Sequence, residues 1–351
     1  MAPFQSATAC LLALAAACGG PDVLANLQNP GAPEAADGGA PDGGGLLTDG
    51  GTTPDGGADA GPADGGTVQP GGPSLAGCPM FPAGSAWNQR IDSVPADARS
   101  SDYLAFMGSG SLKLHPDFGS PEYGEPFAVV PGSQSRVPMT FTYASQSDPG
   151  PYPYPSDVPI QTAADRHATV LDRDHCLLYE TYLTNASGQG FTAASGAVHD
   201  LRSLLLRPDG WTSATAAGLP ILPGLARYDE AVELGAIEHA LAFTAGGSAH
   251  GFVHPATHSS GTSDSLSAPP MGMRVRLRAD YDISTFHGTS RVVLRALQRY
   301  GMFLTDNADG TFWSVAGSKD PRWPTQDLEQ LKTVPVSAFE VVQVGPIIRG
   351  Q

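Results

Sequence analysis

The groups best suited to chemistry crowd into one stretch, DRHATVLDRDHCLLYE, from Asp165 to Glu180. It sets two histidines, four acids, two arginines and a cysteine in an apolar, alternating context. Asp172-Arg173-Asp174-His175 is turn chemistry between two strands, which assigns those side chains to solvent. His167 and Glu180 remain. A regular hairpin closing at residues 173 and 174 sets them opposite each other, ~5 Å apart at Cβ, where a carboxylate orients an imidazole. A structural His–Glu hydrogen bond is the plain alternative to a functional dyad.

Two further stretches add groups. In AVHDLR, Asp200 alternates with Val198 and Arg202, while His199 shares a face with Ala197 and Leu201. In GAIEHALAF, His239 lies on the more apolar face, where an imidazole is either a satisfied core group or part of a pocket. The expectation is a concave sheet face lined by His167, Glu180, Asp200, Arg202 and His239. In a glycoside hydrolase, Glu180 and Asp200 would be the acid and the base or nucleophile. In a polysaccharide lyase, His239 or Tyr182 would take a proton and Arg202 would stabilise a uronate. Tyr152 and Tyr154, on the stiff loop DPGPYPYP, and Trp211, near a turn, are expected to stack on sugar rings, with Arg227 completing the substrate contacts. The same aromatics would equally cap the ends of a sandwich. A carbohydrate- or surface-binding module without acid–base work is the alternative function.

Other patterns exclude chemistries. His250, His254 and His258 recur every four residues, but Gly251 and Pro255 oppose a helix. In an extended chain such residues stand ~13 Å apart, too far for one metal, so no metal is expected. Arg274, Arg276 and Arg278 alternate with Met273, Val275 and Leu277 and read as an outer face over a core row, with a cationic track as the sharper reading. No nucleophile elbow, phosphate loop or dinucleotide fingerprint occurs, and no cofactor is expected.

Elements that position these groups follow from a period of two. Strands are expected at 127–130, 137–143, 167–171, 176–183, 196–201, 237–243, 273–278, 301–305, 311–315 and 339–344. Helices are expected at 97–107, at 291–300 with Ser290 as N-cap and Gly301 as C′ residue, and at 326–332. Many short strands without regular βαβ alternation predict a mainly β protein, an antiparallel β-sandwich or distorted barrel with a few peripheral helices.

The N-terminal residues SATACLLALAAACGG outline a lipoprotein-type signal over 1–18, with Cys18 as lipid acceptor. Alanine three residues before Cys18 and the lack of a preceding Lys or Arg depart from that pattern, and a plain secretion signal is the alternative. Residues 19–77 contain eight acids, no aromatic residue and no Lys or Arg, among Gly, Pro, Ala and Thr, and read as a disordered tether. The globular part, 78–351, holds all 19 Lys and Arg and 27 of the 35 acids, a net charge of −8 against −16 for the chain. That balance disfavours nucleic acid and anionic membrane as partners. A monomer bound to membrane only through its lipid and acting on a polysaccharide is expected at the cell envelope, or secreted if the signal is the plain one. With Cys10 and Cys18 assigned to the signal, Cys78 and Cys176 are left to form a disulfide in an oxidising compartment.

The segments FPAGSAWNQRI, LHPDFG, SDPGPYPYP, DRHATVLDRDHCLLYE, GWTSATAAGLPILPGLARYDE, GAIEHALAF and LQRYGMFLTDN together resemble a group of exported bacterial proteins with no activity assigned to it. The resemblance covers nearly all of the chain from Cys78 on. It implies one architectural unit and carries no catalytic residue with it.

Overall fold

The computed structural model describes residues 72–120, 122–342 and 344–349. The signal segment, Cys10, Cys18 and the tether as far as residue 71 lie outside the described residues. In chain order the strands are β1 (Ser74–Leu75), β2 (Cys78–Pro79), β3 (Leu114–Asp117), β4 (Phe127–Val130), β5 (Met139–Phe141), β6 (Ala168–Asp172), β7 (Leu177–Tyr182) and β8 (Asn185–Ser187). There follow β9 (Gly190–Ala193), β10 (Ser195–Asp200), β11 (Leu241–Gly246), β12 (Arg274–Leu277), β13 (Met302–Ala308), β14 (Trp313–Ala316) and β15 (Phe339–Val341). Helices α1 (Ser100–Phe106), α2 (Gly288–Arg299) and α3 (Thr325–Leu328) are short and few. The fold is mainly β, 29% strand against 16% helix, as the period-two pattern predicts.

Two sheets carry the architecture. One has four strands in the order β10-β7-β6-β4; the other has six, β15-β12-β13-β11-β14-β3, and curls into a half-barrel. Antiparallel pairs predominate, and four parallel pairs interrupt them: β4·β6, β5·β9, β11·β13 and β3·β14. Helix α2 lies in the crossover from β11 to its parallel neighbour β13 and buries Val293, Leu294 and Leu297 in the main core with Leu241, Val275 and Leu304.

Strand β6 is buried at all five positions because its sheet is covered on both faces. Val170 and Tyr179 pack on one side with Phe191; Leu171 and Leu178 pack on the other with Leu201 and Leu222. Tyr152 and Tyr154 belong to the first of these clusters and are 0% and 1% exposed. Their hydroxyls donate to the carbonyls of Asp148 and Ala168, at 2.8 and 2.9 Å. The Pro-rich loop therefore folds its tyrosines inward, and neither presents a face to a sugar.

The Cys78–Cys176 disulfide forms, with Cα atoms 5.3 Å apart, and closes a loop across 98 positions. In the chain-entropy account such a loop contributes ~4–5 kcal/mol. Just before it, β1 and β2 make a hairpin whose two loop residues, Ala76 and Gly77, have φ of 51° and 86°, a type I′ pattern. The last residues assigned to the tether are thus part of the folded structure, with Leu75 packed against the disulfide cluster.

Candidate functional site

A cleft of about 790 Å³ opens between the two large sheets. The six-stranded sheet supplies Asp117 at the end of β3, Asp306 in β13, and Ser314 and Ala316 in β14; the four-stranded sheet supplies His167 just before β6, Tyr182 at the end of β7 and Ser195 in β10. Glu125, Asp165 and Asp309 enter from loops, and Tyr143 and Phe312 add aromatic surface. Among the described residues no Lys or Arg lines this cleft.

The hairpin of β6 and β7 aims His167. Its register pairs Thr169 with Glu180 and Ala168 with Thr181, so the turn spans four residues, 173–176, and His167 falls beside Tyr182 rather than Glu180. The rings of His167 and Tyr182 have centroids 5.9 Å apart. His167 Nδ1 lies 3.0 Å from Glu125 Oε1, which also accepts from Gln161 Nε2 at 2.8 Å. Glu125 Oε2 and Gln161 Oε1 are buried without a partner among the described residues. Asp306 is turned by a bulge. The parallel register of β11 and β13 slips after Phe243, so Leu304 and Asp306 pair with successive residues and Thr305 is skipped. The Asp306 carboxylate then accepts the N–H groups of Ala216 and Asn307, at 3.1 and 2.7 Å.

Crowded carboxyls set the electrostatics. Burial first, then the charges of Glu125 and Asp165, raises the Asp117 pKa. Burial likewise raises that of Asp306, against two backbone N–H groups, with Asp165 adding to the rise. Burial opposes a charge on His167, yet the Glu125 charge and hydrogen bond, helped by Asp165 and Asp306, bring its pKa up to about 9. At neutral pH the cleft therefore combines an imidazolium paired with Glu125 and acids biased toward keeping their protons. Among the described residues no three His, Cys, Asp or Glu side chains are arranged to hold a metal ion.

Several residues named from the sequence stand elsewhere. Glu180 is fully buried and accepts the N–H groups of Ile221, at 2.9 and 3.0 Å, and of Leu222, at 2.9 Å, capping the one-turn helix Leu222–Gly224. Its position on a strand covered on both faces makes it a structural carboxylate. Asp200 and Arg202 are exposed at the end of β10 and pair with each other at 3.3 Å, away from the cleft. His239 is sealed in the interior, Nδ1 on the Ala240 carbonyl at 2.8 Å and Nε2 on Glu230 at 3.1 Å. Arg227, 1% exposed, completes that cluster through Glu230 at 2.6 Å and Asp229 at 3.2 Å, and is not among the residues lining the cleft. Trp211 is half-buried beneath the Arg207 guanidinium, 5.5 Å from the ring centroid, outside the cleft. Only His167 and Tyr182 of the named set line it.

Of the three spaced histidines, His258 reaches the cleft, its Nδ1 donating to the Ala216 carbonyl at 2.7 Å, while His254 pairs with Asp209 at the surface. The arginines of β12 are tied down: Arg274 donates to the carbonyls of Tyr300, Ala86 and Gln89, and Arg276 and Arg278 pair with Glu340 and Asp280. They form no open track. Missed from the sequence were Asp117, Glu125, Asp165, Asp306 and Asp309. Asp306 had a signal: an acid directly after the apolar run GMFLT is poorly placed unless the strand ends at a polar hollow. No family model, curated protein or solved structure matches this chain.

Proposed function

We propose that the protein is a glycoside hydrolase acting on an extracellular polysaccharide, with the cleft between the two large sheets as its active site. The observation that carries the reading is a division of labour among neighbouring carboxyls: Asp117 has a raised pKa, whereas Glu125 is paired with the His167 imidazolium. A glycosidic bond is broken by one protonated and one ionised carboxyl, and environments that push two acids apart assign those roles. Asp117 is the general acid, Glu125 the base or nucleophile, and His167 positions Glu125 through their 3.0 Å contact. Tyr182, Tyr143 and Phe312 offer ring faces to the sugar. The lyase arm loses its support, since Arg202 is not at the cleft and no lysine or arginine among the described residues is there to neutralise a uronate. The sequence features at the N-terminus support export and anchoring through lipid on Cys18, with the polysaccharide met outside the cell.

The test is a screen of the purified chain on neutral, amino-sugar and uronate polysaccharides, with Asp117→Asn and Glu125→Gln in parallel. Turnover of a neutral or amino-sugar polymer that falls about 10²–10⁴-fold in each variant supports the assignment. Turnover untouched by both removes it, and saturable binding without turnover makes the protein a binding module instead.

A further inference from the structure

Negative charge in the cleft between the two large sheets is left uncancelled. Asp117, Glu125, Asp165, Asp306 and Asp309 line it, and among the described residues no Lys or Arg joins His167 in answering them. Asp165 is central to the group, because its charge is felt by Asp117, His167, Tyr182 and Asp306. Asp306 accepts N–H groups from Ala216 and Asn307, and neither brings a full charge.

Acids alone do not make a site, but an independent feature points to a ligand. His167 is 8% exposed, and its Nδ1 is taken by Glu125 at 3.0 Å. The other ring nitrogen, Nε2, takes no partner among the described residues and is not one of the sealed atoms that lack one. It therefore opens on the cleft that His167 lines. As an imidazolium the ring donates there, and its partner must be an oxygen acceptor such as a hydroxyl. Aromatic faces complete the surroundings. Tyr143 is 51% exposed, and Phe312 is fixed by stacking on His115 with ring centroids 4.4 Å apart.

The ligand that fits these features combines a cation, hydroxyl acceptors and apolar ring faces. A bare metal ion supplies only the first, and no three side chains among the described residues are arranged to hold one. A uronate or a phosphate adds charge of the wrong sign, and a neutral sugar leaves the imbalance as it was. We infer that the cleft takes a polymer of amino sugars whose amines are free, with an ammonium group between Asp165 and Asp306 and a hydroxyl on His167 Nε2. The inference rests on the saccharide reading of the cleft and narrows it to one substrate class. In a partly dry hollow such a charge pair counts for more than at the surface. The ammonium also relieves the crowding that biases Asp306 toward its protonated form.

The experiment measures binding by calorimetry in Asp117→Asn, which lacks the general acid and leaves oligosaccharides uncut. The probes are a glucosamine tetramer, its N-acetylated counterpart, a glucose tetramer and spermidine. At ~20 mM salt the glucosamine tetramer should bind at least about tenfold tighter than any of the other three, and ~200 mM salt should narrow that gap. Asp165→Asn and Asp306→Asn, added singly, should each weaken the glucosamine tetramer about 3–10-fold and spare the glucose tetramer. Asparagine at 306 keeps an oxygen for the Ala216 and Asn307 N–H groups, and Asp165 is exposed, so neither change threatens the fold. Equal binding of the three tetramers, no binding, spermidine matching the glucosamine tetramer, or a preference untouched by both substitutions would each overturn the inference. Its failure is separable from that of the hydrolase reading. Turnover of a neutral polymer by the parent chain without this preference sinks the inference alone, whereas the preference without turnover of any polymer sinks the hydrolase and leaves the ligand.

Discussion

Two histidine–glutamate pairs of nearly the same geometry serve opposite ends in this molecule. His167 and Glu125 meet at 3.0 Å; His239 and Glu230 meet at 3.1 Å. Around Glu230 the charge is balanced. Burial opposes its ionisation, but His239 and then Arg227 hold its pKa below the ordinary range, and the cluster is closed to solvent. Around Glu125 the charge is unbalanced, with Asp117 and Asp165 close enough to be felt, one carboxylate oxygen unpartnered, and a cleft beyond. A His–Glu contact is therefore no sign of chemistry by itself. What separates the two is whether the surroundings finish the charge balance or leave it for a ligand to finish.

The comparison breaks most sharply on removal of each acid. Glu230→Ala leaves Arg227 buried beside an uncompensated imidazole and should cost about 3–5 kcal/mol in chemical denaturation. Glu125→Ala takes away the partner that holds His167 charged but also one charge from among excess acids, so it should cost less than Glu230→Ala, about 1–3 kcal/mol, while turnover is lost. Equal destabilisation by both would mean that the cleft pair is structural as well.

The pH dependence of stability comes next in size. Glu180, outside both pairs, has a pKa raised from 4.5 to about 7, by burial against the pull of the Leu222 and Ile221 N–H groups. A raised folded pKa gives stability that is complete below about 4.5 and is lost as pH climbs through about 7. His167, raised from 6.5 to about 9, loses its contribution in a second window ending near pH 9. Thermal melts from pH 5 to 9 should fall throughout, and Glu180→Gln should flatten only the lower window, by on the order of 3 kcal/mol. A Glu180→Gln profile parallel to that of the parent chain would discard this account.

The smallest effect belongs to the exposed pair. Asp200→Asn and Arg202→Ala should each shift stability by less than about 0.5 kcal/mol and leave turnover unchanged, as solvent-screened ion pairs do. A loss of turnover in either would return them to the site.

Much of the scaffold was legible because local rules govern it. Each of the ten strands expected from alternation overlaps an observed strand, and the disulfide follows from the cysteine count. Gly301 ends α2 at φ 67° as its position suggests, but the helix begins at Gly288, three residues early. The reason is remote: the Asp327 carboxylate accepts the Thr289 and Ser290 N–H groups at 2.5 and 3.3 Å, a cap no local window contains. The site was less legible for the same reason. A turn of four residues rather than two moved His167 from Glu180 to Tyr182, and its true acid, Glu125, lies 42 positions away in a loop. Tyr152 and Tyr154 misled because polar, Pro-rich flanks resemble an exposed loop, whereas cross-packing with Tyr179 and Phe191 decides their burial.

The disulfide also sets how tension travels. A pull arriving from the N-terminal side first meets β1 and β2, only two residues each, and then Cys78. From there the covalent path jumps to Cys176, bypassing everything between, including Asp117, Glu125 and His167. Those three side chains sit in a stretch that strain along the backbone cannot draw out, so tension entering from that side would leave their spacing undisturbed.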